Sequence, residues 1–217
     1  MRNAAATRRL MIRLAQKRQR PGTGSGQDFL LRRTTLMQFP DLRPVLDPLP
    51  WAVVGAAATR LYMPERVTQD LDVLVRAADA EEVRRRLGAA GYTFKGSLAI
   101  GGGMWADPAG FPVDVLQGDA AWCGPALAQA RGNRDAHGAP ILPLPYLTLM
   151  KFEAGRAQDI ADITRMLGQA APDLLTAVRA VFLRWRAPDD AEDLESLIAL
   201  GRLEMTFTPN AGDNNDV

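Results

Sequence analysis

Asp70 and Asp72 stand two apart in the run Gln69-Asp-Leu-Asp-Val-Leu-Val75. Leu71, Val73 and Val75 alternate with Asp70, Asp72 and Leu74, which predicts a β-strand from Gln69 to Val75. On a strand, residues i and i+2 face the same way, about 6–7 Å apart. Both carboxylates then reach one cation or a pair of cations. Like charges held together are costly unless something neutralises them, and a hard divalent ion does this through carboxylate oxygens. The exposed polar face of an edge strand gives the same Asp-x-Asp pattern, so the pair alone leaves both readings open.

Further residues bear on the choice. Asp114 lies inside Pro112-Val-Asp-Val-Leu116, flanked by apolar residues. If that strand neighbours the Asp70 strand, a third carboxylate joins the pair, as two-metal phosphoryl transfer requires. If not, Asp114 is a solvent-facing residue of an alternating strand. Gly55 follows Val53-Val54 and opens a helix. A glycine there lets the backbone approach a phosphate, and a helix N-terminus favours anions; it is equally an ordinary strand–helix turn. Lys151, Gly155, Asp159 and Asp162 fall on one narrow stripe of a helix expected from Tyr146 to Leu167. That stripe is a solvated ion-pair face, or it aims a lysine at a triphosphate with acidic neighbours holding it.

The elements that position these residues read as follows. A helix is expected within 29–47. Trp51–Val54 reads as a strand, and Ala56 to Leu61 as a helix broken by Pro64-Glu65-Arg66. A helix over 79–90 has Val83, Leu87 and Ala90 at helical spacing, and Gly91 ends it. Residues 92–118 read as an antiparallel ribbon turning at Asp107-Pro-Ala-Gly110. A Gly- and Pro-rich loop is expected over 117–145, then helices at 146–167, 172–185 and 189–204. The order predicts an α+β (α/β-like) fold with a mixed sheet flanked by helices and a helical C-terminal portion. The expected division is a basic, disordered arm and linker at 1–27, an α/β core at 28–145, a helical portion packed on it at 146–207, and a disordered tail at 208–217.

Composition excludes other chemistries. The chain has 217 residues, 47% of them hydrophobic, and a formal net charge of +1. The single cysteine, Cys123, forms no intrachain disulfide and no cysteine zinc cluster. The single histidine, His137, removes His-rich metal sites and weakens any Ser-His-Asp arrangement. No apolar run approaches the roughly 20 residues that span a bilayer; with the lone cysteine this suits a cytoplasmic protein. Arg2, Arg8, Arg9, Arg13, Lys17, Arg18, Arg20, Arg32 and Arg33 crowd the N-terminus, and such an arm attracts phosphate backbones. Met37 is an alternative start that would omit it.

Together these pieces resemble the polymerase-beta-like nucleotidyltransferase superfamily. The matching segments are Val53-Val-Gly-Ala56, Gln69-Asp-Leu-Asp-Val-Leu-Val75 and Val113-Asp-Val115. The run from Lys151 through Arg156 and Asp159 to Asp162 is similar to a helix of the AbiEii-type toxins and related minimal nucleotidyltransferases, and Thr68-Gln-Asp-Leu-Asp72 to their acidic segment. The resemblance covers roughly 50–168 and implies the nucleotidyltransferase fold, with Asp70, Asp72 and Asp114 around Mg2+ (or Mn2+). It places Gly55 and Ala56 beneath the phosphates of a nucleoside triphosphate. It has Lys151 contact that triphosphate, with Arg156, Asp159 and Asp162 supporting, and makes Asp114 the general base. The implied reaction moves a nucleoside monophosphate to a hydroxyl of tRNA or of a small molecule; the toxin-like branch would add a cognate antitoxin as partner. Ala56 departs from the family's Gly or Ser, and Gln158 from its Lys. Two alternatives stand beside this reading: a catalytically degenerate fold acting as a binding module, for which Ala56 is the best support, and a manganese-dependent Asp-x-Asp glycosyltransferase.

Overall fold

The computed structural model describes residues 2–18, 21, 39–63 and 68–206. The chain divides into two compact units, Gln27–Met150 and Met1–Gly26 with Lys151–Val217. All of the expected linker over 21–27 except Pro21, the part of the 29–47 helix before Phe39, the Pro64-Glu65-Arg66 break and the 208–217 tail lie outside the described residues.

The first unit is α+β. Its sheet is mixed and five-stranded. The strands are β1 (Trp51–Val53), β2 (Leu71–Arg76), β3 (Thr93–Ser97), β4 (Gly102–Ala106) and β5 (Pro112–Gly118), in the spatial order β1-β2-β5-β4-β3. Only β2 and β5 run parallel; the other neighbours are antiparallel. The apolar alternation works as expected. Leu71, Val73 and Val75 on β2, and Val113 and Val115 on β5, are buried.

The unit's helices follow from local chemistry. After a short turn of helix, α2 (Arg43–Leu46), the chain enters β1. Beyond β1, α3 (Gly55–Ala58) continues as a 3-10 turn to Leu61. Helix α4 (Ala80–Ala89) buries Val83 and Leu87, one turn apart. Glu81 and Glu82 in its first turn complement the helix dipole. Gly91, at φ 82°, ends it where a side chain would be strained. The β4–β5 turn is the expected one: the Asp107 carboxylate accepts from the Ala109 and Phe111 N–H groups at 2.9 and 2.7 Å.

The helix expected within 29–47 is met by Arg43–Leu46, which ends at Asp47 just before Pro48, whereas other expectations need correction. The segment 92–118 forms three strands, not a two-stranded ribbon, because the chain reverses again between Ser97 and Gly102. The expected 117–145 loop contains α5 (Cys123–Ala130), whose buried Cys123, Ala126, Leu127 and Ala130 sit at helical spacing. Glycine and proline density obscures this short helix, yet Pro125 falls in its first turn, where no N–H partner is needed.

The expected 146–167 helix is two helices, α6 (Leu144–Ala154) and α7 (Ala157–Gln169). Gly155 takes φ 63° between them, so the stripe drawn along a continuous helix does not exist. The boundary between the units falls within α6.

The second unit is helical. It holds α1 (Arg2–Arg18), α7, α8 (Pro172–Trp185) and α9 (Pro188–Glu204). The N-terminal arm, in which Met11, Ile12, Leu14 and Ala15 have the spacing of a short amphipathic helix, is helical over Arg2–Arg18. Arg8 explains why: its buried guanidinium pairs with Asp190 at 2.5 Å and Asp193 at 3.2 Å, and lies 3.7 Å from the Phe152 ring centroid. Helices α7 and α9 meet at Gly168 and Gly201, where a Cβ on either residue would overlap the other helix's backbone. Gly201→Ala is therefore expected to cost about 1–3 kcal/mol by forcing the helices apart. Urea unfolding followed by circular dichroism checks this, and an unchanged midpoint would contradict the close packing.

Candidate metal centre

The parallel register of β2 and β5 sets Asp72 directly beside Asp114. Strand neighbours in register point their side chains to the same face of the sheet. Asp70 comes from the bend just before β2. One carboxylate oxygen from each of the three residues lies within 4.8 Å of the other two, and all three residues are half-buried. The expectation that Asp114 joins the pair is met. The expectation that Asp70 lies on the strand is not, since β2 begins at Leu71.

Asp70 is held by a neighbour instead of a sheet register. The buried Thr68 hydroxyl donates to Asp70 Oδ1 at 2.5 Å. Thr68 opens the Thr68–Asp72 segment that carries the family resemblance, but nothing in the residue order assigns its hydroxyl to Asp70. Asp72 is constrained from the other side. Gly55 has φ 63°, and a Cβ there would overlap the Asp72 carboxylate. The Val54 N–H donates to the Asp72 carbonyl at 2.9 Å, which ties the β1–α3 turn to the strand carrying the acid. Gly55 is therefore required twice, for its backbone conformation and for the space it leaves. Ala56 behind it is buried, and its carbonyl accepts from Thr59 Oγ1 at 2.7 Å.

Electrostatics agree with the geometry. Burial, and then the charge of Asp70, raise the Asp114 carboxyl above its ordinary range. The donor set is entirely carboxylate oxygen, with no sulfur or imidazole, and suits a hard divalent cation such as magnesium or manganese. Among the described residues this is the one cluster of three or more such ligands that converges on a point.

Lys151, Arg156, Asp159 and Asp162 belong to the helical unit and form a cluster of their own. Lys151 Nζ donates to Asp162 Oδ2 at 2.8 Å and to Asp159 Oδ1 at 3.4 Å, and all three side chains are buried. Arg156 Nε donates to Asp159 Oδ2 at 2.6 Å, and Gln158 Nε2 to Asp162 Oδ1 at 2.9 Å. Gly155 interrupts the helix between the lysine and the two acids. On one continuous helix these groups would share a stripe; the structure pairs them across the break at Gly155 instead.

The fold invites comparison with known proteins. No family model matches the chain, and no curated protein matches it. Among solved structures, the antibiotic-resistance factor ANT(2'')-Ia in solution aligns with a TM-score of 0.41 at 18% identity, over 74% of this chain and 87% of that one. ANT(2'')-Ia in complex with adenylyl-2''-tobramycin aligns at 0.39 and 16%, over 74% and 92%. An H. pylori protein provisionally named a nucleotidyltransferase aligns at 0.41 and 15%, over 82% and 92%.

Two outcomes follow from the two clusters. Without metal, Asp114→Asn is expected to raise the melting temperature near neutral pH, because it removes a charge held among like charges. The Asp114 carboxyl holds its proton more tightly folded than unfolded, so ionising it costs stability above its folded pKa. Below the unfolded value of about 3.9, both states are protonated and the advantage disappears. Melts in a chelator from about pH 7 down to about pH 4 check this, and a gain independent of pH would contradict it. Lys151→Met leaves the buried Asp162 without its cation and Asp159 with the exposed Arg156 alone, and is expected to cost about 3–5 kcal/mol. Denaturant titration measures the loss; a variant as stable as wild type would show that the pairing does not support the fold.

Proposed function

We propose that this protein is a metal-dependent nucleotidyltransferase that moves a nucleoside monophosphate from a nucleoside triphosphate to a hydroxyl. The observation that carries the reading is the convergence of Asp70, Asp72 and Asp114 from a bend and two parallel strands. Holding three like charges together in a half-buried place is unfavourable by itself and becomes favourable around a divalent cation.

In this reading the three carboxylates hold magnesium or manganese. Such an ion, when bound, neutralises phosphate charge and makes a hydroxyl more acidic. The chain's own groups do the rest. The acceptor oxygen bonds to the α-phosphorus, the bond to the β-phosphate oxygen breaks, and pyrophosphate leaves. Asp114 takes the hydroxyl proton. Catalysis is then mostly positioning and charge neutralisation. Gly55 and Ala56 line the phosphates with backbone.

The acceptor within this proposal is tRNA, as the resemblance to the AbiEii-type toxins implies, or a small molecule; a cognate antitoxin belongs only to the toxin branch. The cationic N-terminal segment supports RNA, although Arg8 is spent on Asp190 and Asp193. A site in the cytoplasm is part of the same reading. Among the described residues, no helix is long and apolar enough to cross a membrane.

Incubation with magnesium, each α-labelled nucleoside triphosphate and total tRNA or a panel of hydroxylated small molecules tests the reading. Label should pass to one acceptor class and fall below detection in Asp70→Asn/Asp72→Asn. Transfer unaffected by that double substitution would remove the carboxylates from the chemistry. Calorimetry separates the binding-module reading, in which nucleotide binds with magnesium but no label moves.

A further inference from the structure

We infer that Thr68 is a positioning residue for the metal centre: its hydroxyl fixes the Asp70 carboxylate so that its second oxygen can reach the cation. The inference rests on the metal-binding reading above. Asp72 and Asp114 are aimed by strand register, which a sheet enforces through its backbone hydrogen bonds. Asp70 precedes β2 and lacks that constraint. An unrestrained aspartate between two others would rotate away, because rotation relieves repulsion and gains rotamer entropy.

Thr68 opposes this rotation. Its hydroxyl lies 2.5 Å from Asp70 Oδ1, the length of a strong hydrogen bond to an ionised carboxylate. The same oxygen lies 3.4 Å from the Asp70 carbonyl, too long to compete with the carboxylate contact. Thr68 is itself buried at 9% exposure, so water has little access to replace it as donor. With Oδ1 engaged by Thr68, Oδ2 keeps its lone pairs for a cation. The β-branched methyl group of threonine restricts χ1 and so holds the hydroxyl on its acceptor. Partners of this kind commonly govern metal affinity about as strongly as 10- to 100-fold.

The test measures Mn2+ binding directly, by the electron paramagnetic resonance of free Mn2+ in titrations of the full-length protein without nucleotide. Wild type should bind Mn2+, and Asp72→Asn should abolish binding. Thr68→Val, nearly isosteric but lacking the hydroxyl, should weaken binding about 10-fold or more. Thr68→Ser should recover most of the loss. Metal-free melting temperatures of the variants should stay close to wild type, since the carboxylate they release can turn to solvent. If Thr68→Val binds Mn2+ as wild type does, or if Thr68→Ser binds as poorly as Thr68→Val, the positioning role is overturned while the metal centre stands. If wild type itself binds no Mn2+, the metal reading fails and this inference with it. Thr68→Ala serves as the second hydroxyl-free variant should the valine form fold poorly.

Discussion

The constraint on which the candidate site depends is the repulsion among three carboxylates whose oxygens converge within 4.8 Å. Each acid has a separate structural reason for staying. Asp114 and Asp72 are locked side by side by the one parallel strand pair in the sheet. Asp72 has room only because position 55 carries no side chain. Asp70 is tethered by the Thr68 hydroxyl. The sheet order β1-β2-β5-β4-β3 follows the same logic, since it puts both acid-bearing strands in the middle, where neighbours on each side fix their register.

The helical unit solves the opposite problem, buried cations. Arg8 sits between Asp190 and Asp193, and Lys151 between Asp162 and Asp159. In both cases the acids are spaced i and i+3 on a helix, so they lie on one face and approach a single cation together. Two carboxylates around one buried cation supply the hydrogen bonds that make such burial tolerable. The aromatic faces of Phe152 and Phe182, in edge contact at 5.0 Å between centroids, extend the packing beside the Arg8 guanidinium. The same residue types therefore serve different ends in the two units. Acids that converge beside the sheet offer their oxygens to a ligand, whereas acids gathered around a buried lysine or arginine hold helices together.

Much of this was legible in the residue order. Period-two alternation located β2 and β5, the Asp107–Gly110 turn located the β4–β5 hairpin, and helical spacing with Gly91 located α4. These signals are local, and the physics behind them acts over a few residues. The identity of the acids as a set was also readable, because an aspartate flanked by valines in mid-strand is unusual enough to attract a chemical explanation. What local pattern could not supply was partnership. The parallel pairing of β2 with β5 joins segments separated by β3 and β4, and only sheet assembly chooses it. The break at Gly155 was hidden because glycine is tolerated within a helix at modest cost, so its left-handed conformation is decided by where α7 must pack. The arginine-rich N-terminus resembled a solvated arm until Asp190 and Asp193, far along the chain, claimed Arg8. The sequence by itself determined which residues can bind a divalent ion and roughly which elements carry them. Tertiary structure decided which acids meet, which are neutralised by a buried cation, and how Thr68 and Gly55 hold the remainder in place, because those outcomes depend on contacts between segments that no local periodicity encodes.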